Sequence, residues 1–318
     1  MYSKHKNILV CGATGFIGRN TSMFLSKNND YNVFGTYNKT EPFDDDNICF
    51  VKADLTDKDD VDSVISGMDV VIHVSAVTSG ANDIINKPYI HVTDNAIMTS
   101  LILRSAFEHK VKHVIYPSCS IVYNSSDKPL KESDCNLNNG IISKYYGVGW
   151  TKIYIEKMCK FFSNISDTKF TVLRHSNIYG LFDKFDLEHS HVFGATLAKV
   201  LNAKDRVVVW GDGSEKRDLL YVSDLVDFFD MVIKKQKNKF ELFNVGSGSL
   251  VSVDDLVKKI IGVSNKKIDI VYDVSMPFIK SNICLDISKA NDVLGWYPKV
   301  SLDDGIRKTI DWYKTNIN

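Results

Sequence analysis

Three glycines near the start of the chain have a spacing that can hold a phosphate group. They are Gly12, Gly15 and Gly18; the apolar run 8–10 precedes them, and apolar residues at helical spacing begin at Phe16. In such a strand–turn–helix, one glycine permits the turn, another lets a pyrophosphate approach the backbone, and a third lets helix and strand pack. The spacing differs from the common Gly-x-Gly-x-x-Gly pattern, and a plain tight turn is the alternative. The prediction of a dinucleotide site therefore rests on the surrounding strand and helix.

The elements that would position this site alternate along the first half of the chain. Apolar runs typical of buried parallel strands recur, and a segment with helical spacing precedes the last of them. The predicted strands are residues 32–37, 48–55, 70–76 and 111–116, and the helical pattern covers residues 95–109. Strands that alternate with helices predict a doubly wound parallel sheet.

The composition is that of an ordinary globular protein, and it disfavours binding to nucleic acid, to membranes and to metals. Of the 318 residues, 44% are hydrophobic and 25% charged, and 39 basic side chains balance 39 acidic ones. A chain without net charge has no overall field to attract nucleic acid or an acidic membrane. The six cysteines are scattered without metal-ligand spacing, which indicates free thiols in a reducing compartment. No apolar run approaches the ~20 residues of a membrane span, so we expect a cytoplasmic protein.

The turn Gly-x-x-Gly-Phe-Ile-Gly resembles that of the extended short-chain dehydrogenases/reductases, a family of nucleotide-sugar epimerases, dehydratases and reductases. Further landmarks of the family follow in their expected order at residues 173–180, 207–225, 243–248 and 294–298. The resemblance covers essentially the whole chain. It implies an α/β fold with a Rossmann domain at residues 1–176 and a smaller C-terminal α/β substrate-binding domain at residues 177–318. Part of residues 207–245 is expected to return to the Rossmann domain.

The resemblance also implies which residues bind a nicotinamide cofactor. The second predicted strand is followed by Asn38 and Lys39, with no acidic residue before Glu41. An acid there would hold the ribose 2′-hydroxyl of NAD, whereas a lysine can pair with the 2′-phosphate of NADP. NADP is therefore expected and NAD is the alternative, unless Lys39 is simply an exposed loop charge. The implied cofactor-binding residues are Gly12, Thr14, Gly15, Phe16, Ile17, Gly18, Asn38, Lys39, Asp54, Leu55, Ser75, Ala76 and Lys152.

The catalytic positions of the family are only partly matched. In the family, a serine or threonine after the fifth strand polarises a sugar carbonyl or hydroxyl, and a tyrosine four residues before a lysine transfers the proton. Here the hydroxyl position falls on Cys119, and because a thiol is a weak donor, either Ser118 or Ser120 takes over or the role is weakened. The family lysine corresponds to Lys152, but Val148 stands at the tyrosine position.

A displaced tyrosine is predicted to supply the missing hydroxyl. Tyr146 lies six positions before Lys152, roughly 120° away around a regular helix. Gly147 and Gly149 each disfavour helix by about 1 kcal/mol, so we expect an irregular segment that delivers Tyr146 to the site. The alternative is that Tyr145 and Tyr146 are packing or substrate-stacking aromatics and that the usual proton transfer is lost or replaced.

Residues of the second half resemble the family's substrate contacts. Asn177 stands in a Leu-Arg-x-x-Asn-Ile-Tyr-Gly segment, where the family asparagine contacts the sugar phosphates. Arg217 would reach the diphosphate with its planar fork of donors, and Lys280 stands where a second phosphate-binding cation is often found. His191 lies in a Ser-His-Val sequence like that of the GDP-L-fucose synthase branch, where the histidine is a proposed general acid. A surface-loop histidine is the alternative.

Together these features predict an NAD(P)-dependent nucleotide-sugar oxidoreductase. The resemblance implies reduction of a 4-keto sugar nucleotide such as a GDP-sugar, with or without epimerisation. A 4-epimerase or dehydratase with tightly bound NAD is the alternative among enzymes, although no Thr-Asp-Glu set occupies residues 119–121. A catalytically inactive module that binds cofactor and sugar nucleotide is the alternative from another class. The family also implies a homodimer through the helices near Asn95 and Tyr146, and no metal, nucleic-acid or membrane partner is expected.

Overall fold

The computed structural model describes residues 5–77, 89–187, 190–275 and 282–317. The strands are β1 (Lys6–Cys11), β2 (Tyr31–Tyr37), β3 (Ile48–Lys52), β4 (Val70–His73), β5 (His113–Cys119), β6 (Lys169–His175), β7 (Asn177–Tyr179), β8 (Arg206–Trp210), β9 (Lys216–Arg217), β10 (Leu219–Tyr221), β11 (Phe240–Val245), β12 (Val251–Ser252) and β13 (Asp269–Asp273). The α-helices are α1 (Phe16–Leu25), α2 (Lys58–Ile65), α3 (Ile90–Glu108), α4 (Tyr146–Ile165), α5 (Val192–Asn202), α6 (Val222–Lys235), α7 (Val253–Ser264), α8 (Ser288–Leu294) and α9 (Leu302–Asn316). Short 3₁₀ turns occupy Ser120–Val122, Glu132–Asp134, Leu137–Asn139 and Ser143–Tyr145. Over these ranges, no helix is long and apolar enough to cross a membrane.

One seven-stranded parallel sheet forms the centre of the Rossmann part of the protein. Its seven strands lie in the order β11-β6-β5-β4-β1-β2-β3, and every neighbouring pair is parallel. Within it, Ile8 of β1 pairs with Val33 of β2 on one side and Val70 of β4 on the other. The chain order reverses between β1 and β4, which confirms the predicted doubly wound Rossmann sheet. In such sheets, ligands bind in the crevice outside the carboxyl ends of the strands at this reversal.

Helices cover both faces of this sheet. Ile8 and Val10 point to one face and share an apolar cluster with Phe228 of α6. Leu9 points to the other face, where it packs in a second cluster with Ile102 of α3. Because both faces are covered, β1 has an unbroken apolar run instead of an alternating pattern. This double coverage fixes the carboxyl end of β1, where the glycine-rich turn begins.

Helix α4 is regular over its whole length, Tyr146–Ile165. The prediction of an irregular segment around its two glycines is therefore wrong, and the reason is packing. A Cβ on Gly147 would lie 2.8 Å from Val92 Cγ2 of α3. A Cβ on Gly149 would lie 2.8 Å from two carbons of Ile141. Close packing of the helix start thus overrides the helix penalty of about 1 kcal/mol for each glycine.

The C-terminal half builds a separate apolar core beside the main sheet. Small two-stranded sheets pair β7 with β10, β9 with β12 and β8 with β13. Helices α5, α7 and α9 pack together through Phe193, Leu256 and Ile306. Strand β11 lies instead at the edge of the main sheet beside β6. The domain boundary between residues 176 and 177 stays a prediction.

Helix α1 joins the two halves through polar and aromatic contacts. Asn20 donates to the carbonyl oxygen of Leu181 over 2.9 Å. The guanidinium of Arg19 lies between two aromatic rings, 4.4 Å from the ring centre of Phe43 and 4.0 Å from that of Phe182. These contacts hold the loop after β7 against the first turns of α1. The C-terminal core is thereby fixed next to the glycine-rich turn.

Candidate active site

The glycine-rich turn forms a tight cradle at the end of β1. Gly12 has a φ of +80°, and a Cβ there would lie 2.9 Å from the Cα of Ser75. A Cβ on Gly18 would lie 2.0 Å from the carbonyl oxygen of Gly12, so neither position accepts a side chain. A Cβ on Gly15 would meet only that same oxygen, at 3.4 Å, which leaves its outer side open. Gly15 is the N-cap of α1 and no side chain caps the helix, so this end of α1 suits the pyrophosphate of a dinucleotide.

The other residues predicted to hold the cofactor surround this cradle. Ser75 and Ala76 follow β4 in the chain, and Ser75 packs against Gly12. Asp54 follows β3, and hydrogen bonds from Thr56 hold the pKa of its carboxyl below the ordinary value, with smaller contributions from Lys39 and Asn38. The residues at the ends of β2 and β3 are thus brought together, as an adenosine site requires. Thr14, Phe16 and Ile17 are partly buried in the turn and the first turn of α1, and Leu55 is buried.

Lys152 on α4 reaches the carboxyl end of β5. Its Nζ donates to the carbonyl oxygen of Pro117 over 3.0 Å and lies 4.8 Å from the ring centre of Tyr116. Burial lowers the pKa of Lys152, while Cys119 and Glu156 act in the opposite direction. The ammonium group therefore lies close to the thiol of Cys119.

Cys119 ends β5, and its surroundings keep the thiol protonated. Burial raises the pKa of the thiol above its ordinary value, although Lys152 partly opposes this effect. Of the two serines considered as substitutes, Ser118 is fully buried and donates to Glu156 Oε1 over 2.6 Å. Ser118 is thus occupied by a structural hydrogen bond. Ser120, partly buried at the start of the next turn, remains the neighbouring hydroxyl.

A buried ion pair anchors the elements beneath this site. Arg174 of β6 binds Glu156 of α4 through two hydrogen bonds of 3.0 and 2.7 Å. Its Nη1 also donates to the hydroxyl of Tyr123, which in turn donates to Asn244 of β11 over 2.7 Å. Because these partners belong to β6, α4 and β11, the network fixes where Lys152 projects. Breaking such a pair leaves a buried charge without its partner, at a cost of about 3–5 kcal/mol.

His175 was not predicted from the sequence, and the structure places it next to Cys119. It ends β6 in register with Cys119, and its Nδ1 lies 2.7 Å from the carbonyl oxygen of Ser176. Since a carbonyl only accepts, Nδ1 carries the proton in this contact. The pKa of His175 is lowered to about 4, mainly by burial and to a smaller extent by Lys152 and His191, while the hydrogen bond to Ser176 acts in the opposite direction. The imidazole is therefore neutral near pH 7, and its position directly after the family arginine was the available signal.

The two tyrosines before Lys152 occupy different environments. Tyr146 is 64% exposed, and its ring centre lies 6.3 Å from that of Trp150, so its predicted catalytic role stays a prediction. Tyr145 is partly buried, and burial raises the pKa of its phenol. The phenol also interacts with Arg217, which lowers this pKa, and with Cys119, which raises it. Tyr145 thus lies within electrostatic range of Cys119 at the end of β5.

The predicted substrate contacts lie on the C-terminal side of the same edge. Arg217 Nη2 donates to Glu215 over 3.0 Å, and its electrostatic interaction with Tyr145 places it near the site. Asn177 donates from its side chain to the carbonyl oxygen of Asp218 over 3.2 Å. His191 is exposed as the N-cap of α5 and interacts with His175. Lys280 lies outside the described residues.

Comparison with known proteins agrees with this geometry. The model described as "NAD dependent epimerase/dehydratase family" matches residues 8–246. GDP-L-fucose synthase of Azorhizobium caulinodans is 28% identical over 322 residues, which cover 98% of this chain and 97% of that protein. The structure of UDP-glucose 4-epimerase with UDP-glucose from Thermotoga maritima has a TM-score of 0.86 at 27% identity, covering 98% of this chain and 100% of that one. UDP-glucuronic acid 4-epimerase from Bacillus cereus, in complex with UDP-glucuronic acid and NAD, has a TM-score of 0.84 at 26% identity, covering 97% and 99%.

Proposed function

The chain belongs to the NAD dependent epimerase/dehydratase family, and from this premise we propose that it is a nicotinamide-dependent reductase of a 4-keto sugar nucleotide. The observation that carries the proposal is the convergence at one edge of the sheet. The glycine cradle follows β1, and the pair of Lys152 and Cys119 meets at the end of β5, two strands away. A cofactor lying across this edge would present its nicotinamide to a sugar held next to Cys119.

The residues around the cradle fit NADP, with NAD as the alternative. Lys39 lies beside Asp54 at the ends of β2 and β3, where a 2′-phosphate would add a second anionic partner for the lysine. No acidic residue stands at positions 36–39 to bind a 2′-hydroxyl. The NAD bound in the Bacillus cereus relative supports the alternative. When bound, the nicotinamide would supply the hydride for reduction.

This chain's own residues would position the sugar nucleotide and its carbonyl. The Cys119 thiol would donate a hydrogen bond to the carbonyl oxygen, and the Lys152 ammonium would hold the cofactor ribose. Arg217 would bind the diphosphate once it exchanges the carboxylate of Glu215 for phosphate oxygens. His191, exposed at the start of α5, would serve as a general acid towards the bound sugar. The similarity to GDP-L-fucose synthase favours a GDP-linked sugar.

Two other functions are favoured by specific observations. The similarity to two UDP-sugar 4-epimerases favours 4-epimerisation or dehydration with tightly bound NAD. The valine at position 148 and the thiol at position 119 favour a module that binds cofactor and sugar nucleotide without turnover. The reductase is preferred over the epimerase because of the similarity to GDP-L-fucose synthase and because no acidic residue stands at positions 36–39 to favour NAD.

The deciding experiment identifies the cofactor and follows its redox state. The purified protein is denatured, and any released nucleotides are identified by mass. The native protein is then mixed with NADPH or NADH and a panel of GDP- and UDP-linked 4-keto sugars, while absorbance at 340 nm is recorded. We expect stoichiometric loss of NADPH absorbance with formation of the reduced sugar. A Lys152→Met variant serves as the control and should lose both cofactor affinity and turnover.

The other outcomes assign the alternatives. Product formed with tightly held NAD and no net loss of reduced cofactor would establish the epimerase or dehydratase. Bound cofactor and sugar nucleotide without conversion of any substrate would establish the binding module. Either result would contradict the reductase.

A further inference from the structure

The regular start of α4 leaves the proton donor of the proposed reaction unassigned. Val148 lies one turn before Lys152 on the same face of the helix, where it offers no hydroxyl. The exposed Tyr146 packs its ring against Trp150. A carbonyl reductase nevertheless needs a proton for the oxygen that becomes a hydroxyl. Another group at the carboxyl edge of the sheet must supply it.

Tyr145 lies on nearly the same side of α4 as Lys152, about one turn further towards the N-terminus than the family's tyrosine position. It is seven residues before Lys152, which is about 20° short of two full helical turns, so both side chains project to nearly the same face. Tyr145 ends the 3₁₀ turn Ser143–Tyr145 and is the N-cap of α4. Side chains at a helix start lean towards the N-terminus, away from the body of α4 and towards the cleft that precedes it. The close packing allowed by Gly149 against Ile141 fixes this end of the helix.

The surroundings of Tyr145 come from elements on both sides of the cleft. Its phenol interacts with Cys119, at the end of β5 in the main sheet, and with Arg217 and Glu215, near β9 in the C-terminal half. The phenol is therefore within electrostatic range both of Cys119, where the sugar carbonyl is proposed to lie, and of the arginine proposed to bind the diphosphate. A sugar that connects those two positions would pass in front of the phenol.

We propose that Tyr145 donates the proton to the carbonyl oxygen of the sugar, from the segment before α4 instead of from position 148. The inference rests on the proposed reductase function. The step is balanced: the carbonyl carbon gains a hydride from the nicotinamide cofactor, and the π electrons of the C=O bond move to oxygen. The Tyr145 O–H bond breaks, and its proton forms the new hydroxyl. The cofactor is oxidised, the carbonyl is reduced, and the phenolate regains a proton from water.

The electrostatics of the site agree with a donor that is protonated before reaction. Burial raises the pKa of Tyr145, and the carboxylate of Glu215 adds to this effect while the guanidinium of Arg217 opposes it. A phenol in this state gives up its proton only as negative charge develops on the carbonyl oxygen. Arg217, on the side of the diphosphate, would stabilise the phenolate that remains.

This proposal can be tested with conservative variants and with an NMR measurement that does not depend on turnover. The variants are Tyr145→Phe, Tyr146→Phe and, as a control with an exposed ring outside the site, Tyr297→Phe. Measurements are the single-turnover rate with NADPH and a GDP-linked 4-keto sugar, and the Kd of GDP-mannose. The ¹³Cζ resonance of Tyr145 is also followed in ring-labelled protein, where its absence from the Tyr145→Phe spectrum assigns it. Binding of NADP confirms that each variant is folded.

We expect Tyr145→Phe to slow the single turnover by about 10²–10⁴-fold, the usual contribution of acid catalysis, with the Kd of GDP-mannose changed less than about threefold. The Tyr145 resonance should shift when GDP-mannose is added, and Tyr297→Phe should retain the wild-type rate. A full rate in Tyr145→Phe, or a loss confined to Tyr146→Phe, would overturn the proposal. If the wild type reduces no 4-keto sugar, the proposed function fails separately. The resonance then decides: a shift with GDP-mannose or UDP-glucose keeps Tyr145 at the sugar site, and no shift removes it.

Discussion

Cys119 is predicted to occupy the position at which a hydroxyl would polarise the substrate carbonyl. Because a thiol is a weaker hydrogen-bond donor than a hydroxyl, Cys119→Ser should raise kcat. A gain on the order of 1 kcal/mol in the transition state corresponds to about a fivefold faster reduction. Steady-state kinetics with Cys119→Ala as the control check this, and the alanine variant should be slower than wild type. A serine variant slower than wild type but equally stable would show that the sulfur itself is required.

Asp183 is a buried acid in the loop after β7 that costs the folded state stability. Its Oδ1 accepts from the backbone of Lys184, whereas Oδ2 has no hydrogen-bond partner among the described residues. Burial raises the pKa of Asp183 to about 7. Between the ordinary carboxyl pKa near 4 and pH 7, the folded state thus binds more protons than the unfolded state. Stability is lost over this range as the pH rises and is constant above it.

The variant Asp183→Asn should remove this loss. Its free energy of unfolding relative to wild type should grow between about pH 4 and pH 8 by a few kcal/mol, because each pKa unit corresponds to ~1.4 kcal/mol. Any fixed cost of burying the amide is the same at both pH values and does not alter the slope. Urea unfolding across this range measures the effect, and Asp311→Asn on the exposed surface of α9 is the control. Parallel pH profiles of wild type and Asp183→Asn would contradict the assignment.

At the scale of elements, the glycines of α4 are explained by packing and not by turn formation. Gly149→Ala gains about 1 kcal/mol of helix propensity but places a Cβ 2.8 Å from Ile141. Overpacking of this kind costs about 1–3 kcal/mol, so we expect net destabilisation. Gly262→Ala in α7 is the matched control, because its Cβ would meet nothing within 4 Å and the variant should be more stable than wild type. Thermal unfolding of both variants tests the comparison, and equal stabilisation by both would refute the packing explanation.

The same elements show which parts of the protein the sequence could reveal. The alternation of strands and helices and the glycine-rich turn were predictable because they depend on local apolar periodicity and on backbone requirements within about ten residues. The regularity of α4 was not, because contacts with Val92 and Ile141 override local propensity. His175 was missed for a related reason. Its place beside Cys119 depends on the register between β5 and β6, whose strands are far apart in the sequence.

At the scale of the molecule, the outer surface of α3 and α4 is more apolar than a solvated surface requires. On α4, Tyr154, Phe161 and Ile165 are 59%, 56% and 49% exposed, and their spacing places them on one stripe of the helix. Ile97 of α3 is 47% exposed, and α3 packs beside α4. Apolar stripes of this kind on adjacent helices are typical of interaction sites. Together with the family resemblance, they favour a homodimer in which α3 and α4 pack against their copies.

A charge in the middle of this stripe should therefore separate the protomers. Phe161→Lys would bury an unpaired ammonium group against the partner's apolar helix, a cost large enough to abolish a helix-pair interface at micromolar concentration. Val293→Lys is the matched control, because Val293 is 50% exposed on α8, away from α3 and α4. Sedimentation equilibrium should give about twice 35.9 kDa for wild type and the control, and close to 35.9 kDa for Phe161→Lys. Because Lys152 belongs to the same helix as Phe161 and Tyr145 is its N-cap, the monomer should also show weaker sugar-nucleotide binding, through a looser start of α4. A wild-type protein that sediments as a monomer, or a Phe161→Lys variant that remains dimeric, would place the dimer contact elsewhere or remove it.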